Sequence, residues 1–283
     1  MSEFREVKEI WQAKPATDGA GVKLNRVFGY YEVPKLDPFL LLDDFRSENP
    51  DDYIAGFPWH PHRGIETVTY MIHGKVRHED SIGSNGVIEG GDIQWMSAGS
   101  GIVHQEMPEQ EKGLLWGFQL WANLPQANKM MKPLYQEYKA KDIPVVDGPH
   151  GLKVKVLAGT WNKVTGPVKN VTVKPTYLDA EVPPFAISDW EIDPTHNVFA
   201  YVAKGSATFQ GKDQPAGEKS LVLFEKGNKI RIIAGQDGVR FLLIAGKPLG
   251  EPVAWRGPIV MNTDDELRTA FEEYANGTFL KTE

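Results

Sequence analysis

The sequence predicts an all-β protein of sandwich or barrel type, with one short helix near the C-terminus. Three observations point there. Short runs of β-branched and aromatic residues recur along the chain. Glycine (28) and proline (20) are spread between them and supply frequent turns. Long helical periods are missing, which argues against a doubly wound sheet.

The expected strands are, in order, Thr67–Ile72, Val87–Ile88, Ile93–Met96, Leu115–Leu120, Lys153–Leu157, Asn197–Ala203, Ser220–Phe224, Lys229–Ile233 and Val239–Ile244. Turn signals such as "GSNG", "GG", "DG" and "KGN" separate them. A short helix is expected from Gln126 to Tyr138, with a linker near Lys139–Gly151. The C-terminal helix has a better signature. Thr263 and Glu266 have capping-box spacing. Leu267, Ala270, Phe271, Tyr274 and Ala275 then form one apolar face, and Asn276-Gly277 can end it.

Two segments look alike. "TVTYMIHG", ending at Gly74, resembles "VFAYVAKG", ending at Gly205. Each is followed by a turn and a glycine that opens a strand, Gly91 and Gly217. A repeat at this distance implies two copies of one β-unit. The 283 residues suit one large domain or two ordinary ones.

Composition excludes several functions. The formal net charge of −7 argues against direct binding of nucleic acid. No cysteine is present, so disulfides, thiolate nucleophiles and iron–sulfur clusters are out. Any metal must be held by nitrogen and oxygen. The start "MSEFREVKEIWQAK" lacks the apolar core of a secretory signal. The apolar runs "FLLL" and "FLLIA" are too short to span a bilayer. A cytoplasmic protein is expected.

The chemistry is concentrated in two pairs. Residues i and i+2 of a strand project from one face, ~6–7 Å apart. His60 and His62 have this spacing, and so do His104 and Glu106. Two imidazoles so placed can converge on an ion ~2 Å from each. The glycines of "SAGSGIVH" imply a tight backbone just before His104. Single histidines more often sit on polar surface. His73 and His78 flank a turn and are expected in solvent, as is His150. His196 stands alone at a strand entry. Glu66 is a rival carboxylate, because even spacing puts it on the same face as His62. A set of three imidazoles and one carboxylate leaves coordination positions open, which suits Fe(II), Mn(II), Co(II) or Ni(II) better than a structural zinc.

The segments "FLLLDDF", "FPWHPHRGIETVTYMIHG", "GDIQWMSAGSGIVHQEMP", "LWANLP", "PTYLDAEV" and "GPIVMNT" resemble signatures of the pirin family, a branch of the cupins. They run from Phe39 to Thr263. The resemblance implies two tandem cupin domains of jelly-roll type. Residues 1–140 would bind metal. Residues 141–283 would form a metal-free domain carrying the helix. It implies one mononuclear divalent ion, Fe(II) first, with Mn, Co, Ni or Zn as alternatives. Its ligands would be His60, His62, His104 and Glu106. Glu66 would then orient Arg63 or an imidazole, or form a structural salt bridge.

The second half should lack a site. Its repeat aligns Glu191 and Asp193 near the first histidine pair, and Ile230 and Ile232 on the second pair. Isoleucine cannot ligate.

The implied activity is that of a quercetin 2,3-dioxygenase, in which O2 opens a flavonol ring with loss of carbon monoxide. Glu106 or Glu66 would take the 3-hydroxyl proton as base. Phe57, Trp59, Trp95 and Met107 are candidate pocket residues; ordinary core is the other reading of each and the favoured one for Trp95. The alternative is a non-enzymatic protein whose metal senses redox state and which binds a transcription factor or metabolic enzyme. A different cupin reaction is the third reading. The expected state is a monomer without nucleic-acid or membrane partners.

Overall fold

The computed structural model describes residues 3–109, 112–212 and 214–281. Two large antiparallel sheets dominate it. One holds seven strands, in the order Leu134–Tyr138, Ile93–Ser97, Ile65–His73, Leu115–Asn123, Phe39–Ser47, Val22–Phe28 and Lys14–Asp18. The other is built on Asn197–Phe209, Lys229–Gly246 and Thr176–Val182 at its centre. A four-stranded sheet of Phe57–His62, Ile102–Pro108, Lys75–Asp80 and Asn85–Glu89 closes the first half. In the second half the eighteen-residue strand Lys229–Gly246 closes both layers itself. Its first part pairs with Ile187–Glu191 and its last part with Thr176–Val182. The sequence expected two strands there.

The large sheets face each other. Tyr70, Trp95, Phe118 and Leu120 of the first pack with Phe199, Tyr201, Leu242 and Ile244 of the second in one core. Burying each such side chain stabilises by roughly 1.5–3 kcal/mol. A second core of Val154, Ala200, Ile230, Ile232 and Phe241 fills the second half. Among the described residues, no helix is long and apolar enough to cross a membrane.

Crossed hydrogen bonds register the two halves. Tyr70 donates to Asp179 (2.6 Å), and Tyr201 donates to Asp44 (2.7 Å). The two tyrosines occupy the same place in "TVTYMIHG" and "VFAYVAKG", so the pairs are related by the repeat. They differ in charge. Asp179 also takes two bonds from Arg240 (2.9 and 2.6 Å). Arg46, two residues beyond Asp44, pairs with Glu218 instead (2.7 Å). Burial, only partly offset by the Tyr201 bond, pushes the Asp44 carboxyl up to about 6.

A raised carboxyl favours the fold in its protonated form. That contribution is complete below the unfolded value near 4 and is lost as pH rises through about 6. Asp44→Asn keeps an acceptor for Tyr201 and has no proton to lose. It is expected to stabilise the protein by up to ~3 kcal/mol at pH 8 and by little at pH 4. Urea unfolding at the two pH values checks this. An equal effect at both would exclude the titration.

The C-terminal helix Asp264–Ala275 has the expected capping box. Thr263 Oγ1 accepts from Glu266 N (3.2 Å), and Glu266 Oε2 accepts from Thr263 N (3.0 Å). The expected helix over Gln126–Tyr138 is a correction. A 3-10 turn spans Gln126–Asn128, and Leu134–Tyr138 is a strand paired with Ile93–Ser97. Pro133 blocks a continuous helix, and an open sheet edge was available. The linker near Lys139–Gly151 contains a strand, Val145–Asp147, at the rim of the second sheet. The sequence also missed Val7–Gln12, which pairs with Ser220–Phe224 in that same sheet.

Candidate metal centre

The strand Phe57–His62 lies antiparallel to Ile102–Pro108, with His60 opposite His104 and His62 opposite Ile102. The i, i+2 rule therefore delivers three imidazoles to one place. Their ring centroids are 4.3 Å (His60–His104), 4.8 Å (His60–His62) and 5.0 Å (His62–His104) apart. The register shift opposite His104 and Glu106 falls in the stretch from Phe57 to His60, and the second pair keeps its regular alternation against Lys75–Asp80.

The hydrogen bonds explain why an ion fits. His60 Nδ1 is 2.8 Å from Pro58 O, and His62 Nδ1 is 3.1 Å from Pro258 O. A carbonyl only accepts, so both Nδ1 atoms carry protons. In the neutral rings both Nε2 atoms then present lone pairs, 3.1 Å from each other. Two facing lone pairs repel unless a cation lies beside them. Both nitrogens of His104 are buried without a partner, a cost of ~1–3 kcal/mol each unless something binds them. Burial, then the neighbouring His60, pushes His62 well below the ordinary imidazole range; burial, then His62, His60 and His78, does the same to His104. Neutral imidazole is the ligating form.

The four expected ligands fall into two overlapping groups. His60, His62 and His104 form one. His104 and Glu106 form the other with His78, with ligand atoms in each group within 4.8 Å of one another. Thr69 donates to Glu106 Oε1 (2.8 Å) and lies 2.8 Å from the Gln119 amide oxygen.

His78 corrects an expectation: it is buried, not solvated. It stacks on Tyr135 at 4.8 Å, and Gln94 Nε2 is 2.8 Å from its Nδ1. The i, i+2 spacing of His78 from Val76, which puts both on one strand face, was the signal available in the sequence. His73 and His150 are exposed, as expected, and His196 is half-buried.

Glu66 corrects another. It lies on Ile65–His73 in the seven-stranded sheet, whereas His62 lies in the four-stranded one. The chain turns between them at Gly64, whose φ of 77° lies in the left-handed region that favours glycine. Even spacing says nothing across such a corner. Glu66 Oε1 instead accepts from Ser97 Oγ (2.8 Å) and Thr172 N (3.3 Å). Arg63 pairs with Glu273 (2.7 Å) rather than Glu66.

A cavity of about 780 Å³ opens onto His60, His62 and Glu106, a size typical of small-molecule sites. Phe57 and Trp59 line it as expected. Trp95 lies in the core between the large sheets, and Met107 is absent from the lining. Trp121, Trp255 and Pro258 were missed. Trp121 sits edge-on to His62 at 5.1 Å. On one wall Arg26 holds Asp43 with two bonds (2.9 and 2.7 Å).

Among the described residues, the second half has no counterpart of this histidine site. Its register sets Trp190 opposite Ile230 and Ser188 opposite Ile232. Trp190, Ile192, Ile230 and Ile232 are buried, and Glu191 and Asp193 are exposed. The alignment on Glu191 and Asp193 was one residue off, and a one-residue slip exchanges the two faces of a strand.

Comparison with known proteins agrees with this geometry. Residues 21–122 match the family Pirin, and residues 177–280 match the Pirin C-terminal cupin domain. A protein of Pseudomonas aeruginosa named "Putative quercetin 2,3-dioxygenase" is 42% identical, covering 98% of this chain and 99% of its own. A pirin-like protein of Caulobacter vibrioides is 44% identical, covering 97% and 99%. The crystal structure of a quercetin 2,3-dioxygenase from Acinetobacter baumannii superposes with a TM-score of 0.91 at 30% identity, over 98% and 99% of the two chains. With both halves matched and the relatives aligned almost end to end, the chain belongs to the pirin family and carries its two cupin domains.

Proposed function

We propose that this protein is a metal-dependent dioxygenase that opens a flavonol of the quercetin type with O2. One divalent ion per chain, Fe(II) first, would be held by His60, His62, His104 and Glu106. The observation that carries this is the pair of facing Nε2 atoms beside the partnerless His104, next to an aromatic-walled cavity. The quercetin dioxygenase names of its relatives supply the substrate class.

The bound ion would supply Lewis acidity to the 3-hydroxyl and a redox centre for O2. The chain's residues do the rest. Glu106 takes the hydroxyl proton, and Thr69 holds its Oε1 in place. Trp121, Trp255, Phe57 and Trp59 pack against a planar ring system and keep water from it. The reading carries a cytoplasmic monomer. Protein loaded with Fe, Mn, Co or Ni is expected to consume oxygen and bleach quercetin absorbance. Failure of all four metals would reject this substrate.

A second reading has its own support. Tyr30, Tyr31 and Trp59 are 61%, 93% and 51% exposed, and Tyr30 and Trp59 border the cavity. Exposed aromatic residues suit a protein partner, as a redox-sensing regulator would need. A partner recovered from the native host that is retained by wild type and lost by His60→Ala and His104→Ala would favour it.

A further inference from the structure

The end of the chain does not stay with the second half. The hairpin Ala254–Arg256 and Ile259–Met261 and the following helix pack on the corner where Phe57–His62 turns into Ile65–His73. Val260 N donates to Arg63 O at 3.1 Å. The approach is close enough to require glycine. A Cβ on Gly64 would lie 1.9 Å from Val260 O, and one on Gly101 would lie 3.0 Å from Phe279 O.

Two buried cations fasten this contact. Arg63 is 2% exposed. Its Nε donates to Ser100 O (2.7 Å), Nη2 to Phe279 O (2.8 Å), and Nη1 pairs with Glu273 (2.7 Å). Its guanidinium lies 4.2 Å from the Phe279 ring centroid. Lys129 is 1% exposed. It donates to Gly64 O (2.9 Å), Val260 O (3.0 Å) and Asn123 Oδ1 (2.7 Å), which uses all three of its protons. Burying a cation is costly unless it is fully paired. Neither lines the cavity. Both spend their donors on the corner and the returning segment.

What they hold in place is the carbonyl of Pro258, the acceptor for His62 Nδ1 at 3.1 Å. A hydrogen bond at one ring nitrogen fixes the tautomer and the direction of the other. His60 gets the same service locally, from Pro58 two residues back. His62 depends on a residue 196 positions away.

We infer that Arg63 and Lys129 are positioning residues. They latch the C-terminal segment so that Pro258 orients His62 toward the ion, and the far end of the chain thereby completes the first half's metal site. This rests on the metal reading above. A purely structural latch would change stability and leave the ion's surroundings alone.

The test uses full-length protein with Co(II) as probe. Phe279→Ala and Lys129→Met are compared with Ile230→Val, a change in the second half's core. Hydrogen exchange of the metal-free variants reports whether residues 258–262 have loosened. Phe279→Ala and Lys129→Met are expected to loosen them, weaken Co(II) binding ~10–100-fold and alter its visible spectrum. Ile230→Val should lower Tm without either metal effect. A loosened segment with wild-type Co(II) affinity and spectrum would overturn the inference and leave the metal site standing. Wild-type protein that takes up none of Co(II), Fe(II) and Ni(II) would overturn both, and only that result indicts the wild type.

Discussion

His104→Ala is expected to empty the metal centre. His104 alone belongs to both ligand groups. Metal content, measured by mass spectrometry after loading, should fall from about one ion per chain to near zero, as expected for loss of one of so few protein ligands. Oxygen uptake should fall to background with it. The fold should survive. The alanine leaves a cavity, yet it also removes two buried nitrogens that lack partners, each a burden of ~1–3 kcal/mol in the metal-free protein. The contrast is sharpest in Tm with and without Co(II). Wild type should gain ~3 kcal/mol at a hundred times Kd, and the variant should gain nothing. A variant stabilised by Co(II) as well as wild type would place the ion elsewhere.

Glu106→Gln separates the two carboxylates. The amide keeps size and an acceptor for Thr69, but it has neither charge nor basicity. At saturating metal, turnover is expected to fall ~10²–10⁴-fold, the range for loss of a general base. If Glu106 served only to hold the ion, saturation would restore kcat. Glu66→Gln should leave turnover nearly unchanged, because Glu66 lies in the seven-stranded sheet and accepts from Ser97 and Thr172. The reverse ranking would reinstate Glu66 as the base.

The convergence of the two i, i+2 pairs was legible because their information is local. Both sit on strands, and an i, i+2 spacing survives folding wherever the strand is unbroken. Glu66 was misread because Gly64 breaks the strand between it and His62, and a left-handed glycine leaves no mark in an alternation count. His78 was misread because it follows a turn; its partners Tyr135 and Gln94 come from strands that the sequence did not connect with it. Each expected strand lies within an observed one, since turn residues bound them, but central strands such as Phe39–Ser47 and Thr176–Val182 were missed. The merger of Lys229–Ile233 and Val239–Ile244 was hidden by Gly235 and Gly238, which bend the strand without ending it. The role of Pro258 had no sequence signal, because its carbonyl is backbone and any residue carries one.

The two halves hold each other's ends. Val7–Gln12 pairs with Ser220–Phe224 in the second sheet, and Phe279 is fixed by Arg63 in the first half. This has a consequence for the order of events during synthesis. The first strand leaves the ribosome long before its partner exists, and its backbone groups must wait in water. The two i, i+2 pairs are likewise complete in sequence well before Pro258, the partner of His62, has been made. A nascent chain thus holds the candidate ligands well before the segment around Pro258 exists, so tight uptake of an ion is expected only after that segment has docked.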